Sequence, residues 1–292
     1  MKKLWTPKDG KIDILEDESG KYVEVKSDMG YPAVYPLHEV KIEKPVEAVL
    51  MDLDGTSVKS EEFWVWIIRS TMAKLMGNPK FELEDADLPF VSGHSVSEHL
   101  QYCIRKYCPE KSVEEARNHY YEITDYEMEE ILSGRGRKGA FTPAEGLKEF
   151  LLELKGRGIK IGLVTSGLYR KAMPEIISAF QTLGMGDPVD FYDSIITAGY
   201  PLGKGRVGTL GELAPKPHPW LYAETMRVGL GIPFERRHHV VGIEDSSAGV
   251  VSILLAGIAP IGLTDGNIRA AGMEPLCTHM VDTLADALPL LD

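Results

Sequence analysis

The chain has 292 residues, 43% of them hydrophobic, and a formal net charge of −12 at pH 7. This is enough apolar material for one large domain or two modest ones. No surplus of lysine and arginine exists to neutralise phosphates, so the composition argues against nucleic acid or an anionic membrane as a partner. One small phosphorylated substrate needs only a local positive pocket and is not excluded.

The cysteines and the apolar runs indicate the compartment. The three cysteines lack the paired spacing of a disulfide framework or a zinc site. The N-terminal stretch has no apolar segment of the kind found in a secretory signal. No apolar run approaches the ~20 residues that a membrane span requires. We therefore expect a cytoplasmic protein, either a monomer or a homodimer.

Residues 1–44 predict a small β-hairpin-like appendage. Lys11–Leu15 and Lys21–Lys26 alternate polar and apolar residues around the turn formers Glu18-Ser19-Gly20, which is typical of two short paired strands. A structural or oligomer-contact role is favoured over catalysis.

The next stretch, Val46–Ser57, reads VEAVLMDLDGTS. Its apolar run predicts a buried strand that ends in turn residues. Asp52 and Asp54 are two positions apart, so both carboxylates leave the strand end on the same side. Like charges this close require a cation or a shared proton. The alternative is an ordinary surface turn, since Asp and Gly are common turn residues.

Residues 59–139 predict an all-helical insert. The helical stretches are Glu61–Met76, with Ser60 as its cap, Ser95–Tyr107 and Val113–Leu132. No convincing strand pattern interrupts them.

From residue 140 onward the pattern alternates between strands and helices. The predicted strands are Ile159–Val164, Phe191–Thr197, His239–Ile243, Ala259–Leu263 and a short edge strand at Met280–Val281. The predicted helices are Pro143–Lys155, Ala172–Phe180 with Pro174 in its first turn, Pro219–Gly229, Ala248–Leu255 and Leu284–Leu290. This alternation indicates an α/β protein with a parallel sheet covered on both faces. Pro201–Pro215 is Gly-rich and predicts a surface loop.

Polar residues follow three of the predicted strands. They are Asp52 and Asp54, then Thr165, Ser166 and Gly167, then Glu244 and Asp245. Strands of one parallel sheet end at the same edge, so these groups should meet there, and Lys216, just before a helix, could reach the same place.

The gathered groups suit magnesium and a phosphoryl group. Mg²⁺ takes carboxylate oxygens, water and substrate phosphate, and Asp52, Asp54, Glu244 and Asp245 could supply the protein ligands. Thr165, Ser166 and Gly167 could bind phosphate oxygens, and Lys216 would add a positive charge. Each group also has an ordinary interpretation: a helix cap at Glu244-Asp245-Ser246, a strand-to-helix turn at Thr165–Gly167, a solvated lysine at position 216.

These residues resemble four motifs of the haloacid dehalogenase superfamily of phosphohydrolases. The matching stretches are Asp52-Leu-Asp-Gly-Thr56, Leu163-Val-Thr-Ser-Gly167, Lys216-Pro-His-Pro219, and Ile243-Glu-Asp-Ser246 with Gly249. The order and form are similar to those of the phosphoglycolate phosphatase and β-phosphoglucomutase branch, over about residues 45–290. Ser57, Lys59 and Trp64 depart from the common pattern. Trp64 stands where the mutase carries a histidine.

The resemblance implies a fold and a role for each site residue. The fold would be α/β, a Rossmann-like parallel sheet core (45–58 and 140–292) flanked by helices, with an inserted all-helical cap domain (59–139) and the N-terminal β appendage. Asp52 would be the nucleophile and Asp54 the general acid and base. Mg²⁺ would be held by the Asp52 side chain, the Asp54 backbone carbonyl and Asp245, with Glu244 as a ligand or a supporting partner. Thr165 would bind the phosphoryl oxygens, and Lys216 would pair with the phosphoryl group and the nucleophile.

Val91–Glu98 resembles the substrate-specificity loop of the family's cap domain. His94 and Ser95 are therefore candidates for contacting the leaving group. Alternatively, they cap the following helix and face solvent. The expected function is that of a Mg²⁺-dependent phosphatase acting on a small phosphorylated metabolite, for example a sugar phosphate. The alternatives are a phosphomutase of the β-phosphoglucomutase type and a non-catalytic phosphate-binding regulatory protein.

Overall fold

The structure is a computed structural model that describes residues 1–26, 32–91, 95–133, 135–137, 140–199 and 214–292. His94 and most of Pro201–Pro215 lie outside the described residues. Among the residues that are described, no helix has both the length and the apolar character needed to cross a bilayer.

Two sheets contain most of the strands. The N-terminal sheet is antiparallel and runs in chain order through β1 (Lys2–Trp5), β2 (Ile12–Asp17), β3 (Gly20–Val25) and β4 (Ala33–Pro36). A two-residue ribbon pairs β6 (Val58–Lys59) with β7 (Thr142–Pro143). The six-stranded main sheet contains β5 (Ala48–Asp52), β8 (Lys160–Leu168), β9 (Ser194–Gly199), β10 (Val240–Glu244), β11 (Ala259–Leu263) and β12 (His279–Val281).

The helices connect and cover these strands. The α-helices are α1 (Glu61–Leu75), α2 (Val96–Tyr107), α3 (Val113–Leu132), α4 (Leu147–Gly156), α5 (Tyr169–Leu183), α6 (Pro188–Phe191), α7 (Trp220–Glu224), α8 (Ser247–Leu255), α9 (Ile268–Ala271) and α10 (Leu284–Ala287). A π-helical turn, Thr225–Gly229, continues α7. Short 3-10 turns cover Asp85–Phe90, Phe234–His239, Glu274–Leu276 and Leu288–Leu291.

The main sheet confirms the predicted α/β class. Its order is β12-β11-β10-β5-β8-β9, and every neighbouring pair is parallel. Successive residues of the central strand β5 face opposite sides: Val49 and Met51 join a buried cluster with α1, α4 and α5, whereas Ala48 and Leu50 join another with α7 and α8. Because both faces are covered by helices, the open end of the sheet is where polar chemistry can be placed.

The segment between β6 and β7 is helical wherever it is described, apart from irregular connections. The helices α1, α2 and α3 pack on one another, and their bounds agree with the predicted ones to within one residue. The division of the chain into domains at 59–139 stays a prediction.

Some predicted bounds are wrong, each for an identifiable reason. Helix α4 starts at Leu147 and not at Pro143, because Thr142 and Pro143 pair with β6 instead. The strand predicted to end at Val164 continues to Leu168, and α5 starts directly after it at Tyr169. Pro174 therefore lies inside that helix and not in its first turn. Leu168 offers no side-chain cap, so no local pattern marks the start of α5.

The N-terminal sheet is larger than the predicted hairpin and packs on the core. Both predicted strands are present, but β1 and β4 flank them and were missed, because each has only four residues. The buried side chains of Ile12, Val23 and Val25 form a cluster with residues of α8 and α9. The appendage is therefore attached to the core by an apolar interface.

The buried carboxylate of Asp13 in this sheet makes the free energy of unfolding depend on pH. Asp13 is 3% exposed and accepts from Thr6, from Lys3 at 2.8 Å and from Lys26 at 3.0 Å. Burial raises the pKa of Asp13, but these hydrogen bonds outweigh it and lower the pKa to about 2. A lowered folded-state pKa stabilises the fold above the unfolded value of 3.8, and the effect is lost as pH falls toward 2.

We expect the free energy of unfolding to fall by about 1–2 kcal/mol between pH 5 and pH 2 on account of Asp13, a figure discounted because both lysines are partly exposed. Urea unfolding across this range measures it. Asp13→Asn should remove the same stabilisation at pH 7 and flatten the acid limb, while Glu18→Gln, in the exposed turn after β2, should leave that limb unchanged. An identical acid limb in Asp13→Asn would contradict the assignment.

Candidate active site

Asp52 ends β5 at the carboxyl edge of the main sheet and is 4% exposed. The chain turns away immediately afterwards at Gly55, whose φ is +93°, a value that residues with a side chain rarely adopt. A Cβ atom added to Gly55 would lie 2.2 Å from Asp245 Oδ2. A glycine is therefore required both for the turn and for the approach of Asp245 to this strand end.

Lys216 joins the carboxylates of two neighbouring strands. Its Nζ atom donates to Asp52 Oδ1 and, at 2.5 Å, to Glu244 Oε1, and its side chain is 3% exposed. Burial lowers the pKa of Lys216, but the charges of Asp52 and Glu244 outweigh this and raise it. Lys216 is therefore a permanently charged group at the bottom of the site.

Glu244 holds Lys216 in place with both of its oxygens occupied. Oε1 also accepts from the Tyr222 hydroxyl at 2.8 Å, and Oε2 accepts from the backbone N–H and hydroxyl of Ser246 at 3.2 and 3.0 Å. A Cβ atom on Gly249 would lie 1.8 Å from the Glu244 carboxyl carbon, so this position too requires glycine. The Glu244 carboxylate is thus fully hydrogen-bonded within the protein.

Asp245, by contrast, has spare acceptor capacity. Its Oδ1 atom accepts from the Thr56 hydroxyl at 3.1 Å. Burial, and secondly the charge of Glu244, raise the pKa of Asp245 to about 8. The same two causes raise the pKa of Asp52, against the opposing effect of Lys216. Negative charge is therefore in excess at this edge, and a cation would relieve it.

Asp54 belongs to a second group of side chains. One oxygen accepts from the Ser60 hydroxyl at 3.0 Å and lies 3.4 Å from Lys171 Nζ, and the other accepts from the Thr165 hydroxyl at 3.2 Å. Burial raises the pKa of Asp54, but the charge of Lys171 and the hydrogen bond from Ser60 outweigh it and lower the pKa. Asp54 is therefore ionised in the free protein. Ser60 stands at the N-cap position of α1, but its side chain contacts Asp54 and does not cap the helix.

Trp64 and Glu175 lie behind Lys171. The Trp64 indole N–H donates to Glu175 Oε2 at 3.2 Å, and Lys171 Nζ lies 3.8 Å from the Trp64 ring centroid. Glu175 is fully buried, and its other oxygen has no hydrogen-bond partner among the described residues. Burial, and secondly the charge of Asp54, raise the pKa of Glu175 well above its ordinary value. Trp64 is thus part of the site's wall as well as of the core.

The predicted phosphate-binding residues lie beside this group. Thr165 and Ser166 are still in β8, and the Thr165 hydroxyl accepts from the Gly167 N–H at 2.9 Å. The Ser166 hydroxyl accepts from the backbone N–H of Lys216 at 3.2 Å. The predicted turn is therefore replaced by a strand extension that also contacts the Lys216 loop.

A cavity of about 70 Å³ connects the two groups. Its lining includes Asp52, Asp54, Ser166, Gly167, Lys171, Lys216 and Asp245 from the core, and Trp64, Ile68, Val91, Val96, His99 and Tyr120 from the helical segment. Ser95 caps α2 by accepting from the Glu98 N–H at 3.2 Å, as the alternative interpretation expects, and is not among the described residues that line the cavity. His94 lies outside the described residues.

The residues present fit a magnesium ion. Carboxylate oxygens of Asp52, Glu244 and Asp245 lie within 4.8 Å of one another and are buried. Oxygen donors of this kind are those that Mg²⁺ prefers. The raised pKa values of Asp52 and Asp245 also favour a bound cation, because buried carboxyls of this kind take up either a proton or a cation.

The structure thus brings eight residues close together: Asp52, Asp54, Thr165, Ser166, Gly167, Lys216, Glu244 and Asp245. Sequence reasoning missed Ser60, Lys171, Glu175 and Tyr222. Lys171 and Tyr222 are each six positions after a predicted site residue, Thr165 and Lys216. The pattern predicts the start of α5 three residues too late, which places Lys171 outside the helix, whereas no local pattern distinguishes Tyr222 from a core residue of α7.

The chain is similar to a known family and to several solved structures. A family model described as haloacid dehalogenase-like hydrolase matches residues 49–193, a range that contains Asp52, Asp54 and Thr165. Over this range the chain is similar to the haloacid dehalogenase-like hydrolases.

Solved structures share the fold over most of the chain. CbbY from Rhodobacter sphaeroides in complex with phosphate is 20% identical, with a TM-score of 0.59 over 83% of this chain and 96% of that one. A mutant of the same protein in complex with xylulose-(1,5)bisphosphate gives a TM-score of 0.61 at 20% identity, over 85% and 99%. A predicted phosphoglycolate phosphatase from Haemophilus somnus 129PT gives 0.62 at 18% identity, also over 85% and 99%. At these identities the likeness shows a common fold.

Proposed function

We propose that this protein is a Mg²⁺-dependent phosphatase that hydrolyses a small phosphomonoester through an aspartyl-phosphate. The observation that carries the proposal is Lys216, buried between Asp52 and Glu244 with Asp245 beside them. At the bottom of the cavity, the lysine can hold a phosphoryl group and the adjacent carboxylate can attack its phosphorus atom. Phosphoryl transfer depends mainly on such positioning and charge neutralisation.

In the first step an Asp52 oxygen attacks phosphorus, and the bond between phosphorus and the ester oxygen breaks. Lys216, which contacts Asp52, neutralises charge on the phosphoryl oxygens as they move toward the nucleophile. Ser166 and Gly167 line the cavity and could contact the same oxygens, whereas the Thr165 hydroxyl donates to Asp54 in the free protein. Glu244 has its oxygens occupied by Lys216, Tyr222 and Ser246, so its role is to position Lys216.

Asp54 carries the proton. A dianionic phosphate close to Asp54 raises the pKa of the Asp54 carboxyl above its value in the free protein. Asp54 can then be protonated when substrate is bound, and it donates this proton to the leaving oxygen. The ionised Asp54 then accepts a proton from the water that attacks the aspartyl-phosphate, and inorganic phosphate is released. Lys171 and Ser60 hold Asp54 in the orientation for both transfers.

Magnesium would be held by the Asp52 side chain, the Asp54 backbone carbonyl and Asp245. When bound, it would neutralise the phosphoryl oxygens and the adjacent carboxylates.

The substrate would be a small phosphorylated metabolite. The lysines and carboxylates that line the cavity suit a compact, polar phosphate ester. CbbY, which shares the fold, has been solved with phosphate and with xylulose-(1,5)bisphosphate, and a sugar phosphate is therefore a reasonable first substrate to test.

Hydrolysis of para-nitrophenyl phosphate in the presence of Mg²⁺ tests the proposal. We expect release of nitrophenol and inorganic phosphate in equal amounts, and then faster turnover with one or more sugar phosphates. A mutase would instead conserve the phosphoryl group in an isomer of the sugar phosphate, which phosphorus NMR detects. Binding of a sugar phosphate without turnover of any compound would favour a regulatory phosphate-binding protein.

A further inference from the structure

The loop that carries Lys216 is held from three sides. On the side of the main sheet, the Lys216 N–H donates to the Ser166 hydroxyl at 3.2 Å. On the side of α8, the Ser252 hydroxyl donates to the His218 carbonyl at 2.5 Å. On the third side the partner comes from the N-terminal sheet, which lies outside the range matched by the family model.

That third contact joins Tyr35 to His218. The Tyr35 hydroxyl and His218 Nδ1 are 2.7 Å apart, and the two rings meet edge-on with centroids separated by 5.8 Å. Burial lowers the pKa of His218, so the ring is neutral and can accept the Tyr35 proton at Nδ1. The rings of Tyr35 and Trp220 also meet edge-on, with centroids 6.3 Å apart.

The position of Tyr35 follows from the way the sheet packs. Tyr35 is paired in register with Val23, which is fully buried against the core. Side chains alternate between the faces of a sheet, so Tyr35 shares the core-facing side with Val23, and Tyr22 points the other way. The apolar interface of the N-terminal sheet thus fixes where the Tyr35 hydroxyl lies.

We propose that the N-terminal sheet braces the catalytic loop, with Tyr35 as a positioning residue that acts through His218 on Lys216. This inference rests on the proposed function for its catalytic part. A lysine side chain has several rotatable bonds, so its ammonium group is placed accurately only if its backbone is fixed. His218 is two residues from Lys216, and Tyr35 is its side-chain hydrogen-bond partner.

Tyr35→Phe tests the proposal, because it removes one hydroxyl and leaves the ring. We expect kcat for para-nitrophenyl phosphate to fall about 3- to 10-fold, the size expected for one lost hydrogen bond, with a smaller change in KM. Inhibition by orthovanadate, which mimics the phosphoryl group in transfer, should weaken by a similar factor. The matched control is Tyr22→Phe, in which the lost hydroxyl contacts Ser19 at the sheet's exposed edge. It should leave both values unchanged.

Two further variants test whether Tyr35 acts on Lys216 through His218. In a His218→Ala background, Tyr35→Phe should have no additional effect, because the acceptor is already absent. His218→Asn, which retains a side-chain acceptor near the position of Nδ1, should recover part of the activity lost in His218→Ala. Additive losses in the double variant would overturn the proposed route.

A measurement that does not depend on enzyme activity separates this inference from the proposed function. Hydrogen exchange of the peptide covering residues 214–222 should be at least about 3-fold faster in Tyr35→Phe than in the wild type, and unchanged in Tyr22→Phe. If the wild type hydrolysed no phosphomonoester, the proposed function would fail while this measurement still decided whether the brace exists. Equal exchange in all three proteins, or an unchanged kcat in an active Tyr35→Phe enzyme, would overturn the inference.

Discussion

Asp52→Asn is expected to abolish turnover, with kcat reduced by at least about 10⁴-fold, the scale seen when a covalent nucleophile is removed. The amide that replaces the carboxylate is a poor nucleophile and cannot form the aspartyl-phosphate. The fold should survive, because Asp52 is one of several buried carboxylates and its pKa is raised by burial and by Glu244. Lys216 keeps Glu244 as a partner in the variant. The measurements are steady-state hydrolysis and thermal unfolding of the same preparation.

The matched control for this variant is Asp190→Asn, the same chemical change at an exposed position in α6. It should hydrolyse the substrate at the wild-type rate. Wild-type turnover in Asp52→Asn would remove the nucleophile assignment. A large drop in the unfolding temperature would mean that Asp52 is needed for the fold, and the loss of activity could not then be assigned to chemistry.

Removal of divalent cations is expected to have the second large effect. In excess EDTA, activity should fall at least about 100-fold, and added Mg²⁺ should restore it, because the ion neutralises charge in the phosphoryl transfer. The buried cluster of Asp52, Glu244 and Asp245 should also make the folded protein bind the ion more tightly than the unfolded chain does. At a Mg²⁺ concentration 100 times Kd, the stabilisation would be about 2.7 kcal/mol, or a rise of several degrees in Tm.

Asp245→Asn provides the test of where the ion binds. Asp245 has free acceptor capacity, whereas Glu244 does not, so this variant should lose most of the Mg²⁺-dependent rise in Tm. Asp190→Asn should keep it. Full activity in chelator, or an undiminished rise in Tm with Asp245→Asn, would contradict the assignment.

The two halves of the site differ in how far the sequence could predict them. The set of Asp52, Lys216, Glu244 and Asp245 was accessible because each residue follows a strand or precedes a helix whose type could be predicted from local patterns. Parallel strands end at one edge of a sheet, so a prediction of strand type also predicts that these residues meet. The set around Asp54 was not accessible in the same way. The position of Ser60 predicts a helix cap, and Lys171 lies in a helix that begins earlier than its pattern indicates.

The sequence by itself determined the class of fold, the polar strand ends and the residue types that a phosphoryl group and a magnesium ion require, because hydrophobic periodicity and turn chemistry are local properties. Only the tertiary structure decided that Glu244 is saturated by Lys216, Tyr222 and Ser246, that Lys171 pairs with Asp54, and that the Tyr35 hydroxyl reaches His218. These contacts join residues that are distant along the chain. They depend on how separate elements pack on one another, and no local pattern in the sequence encodes that packing.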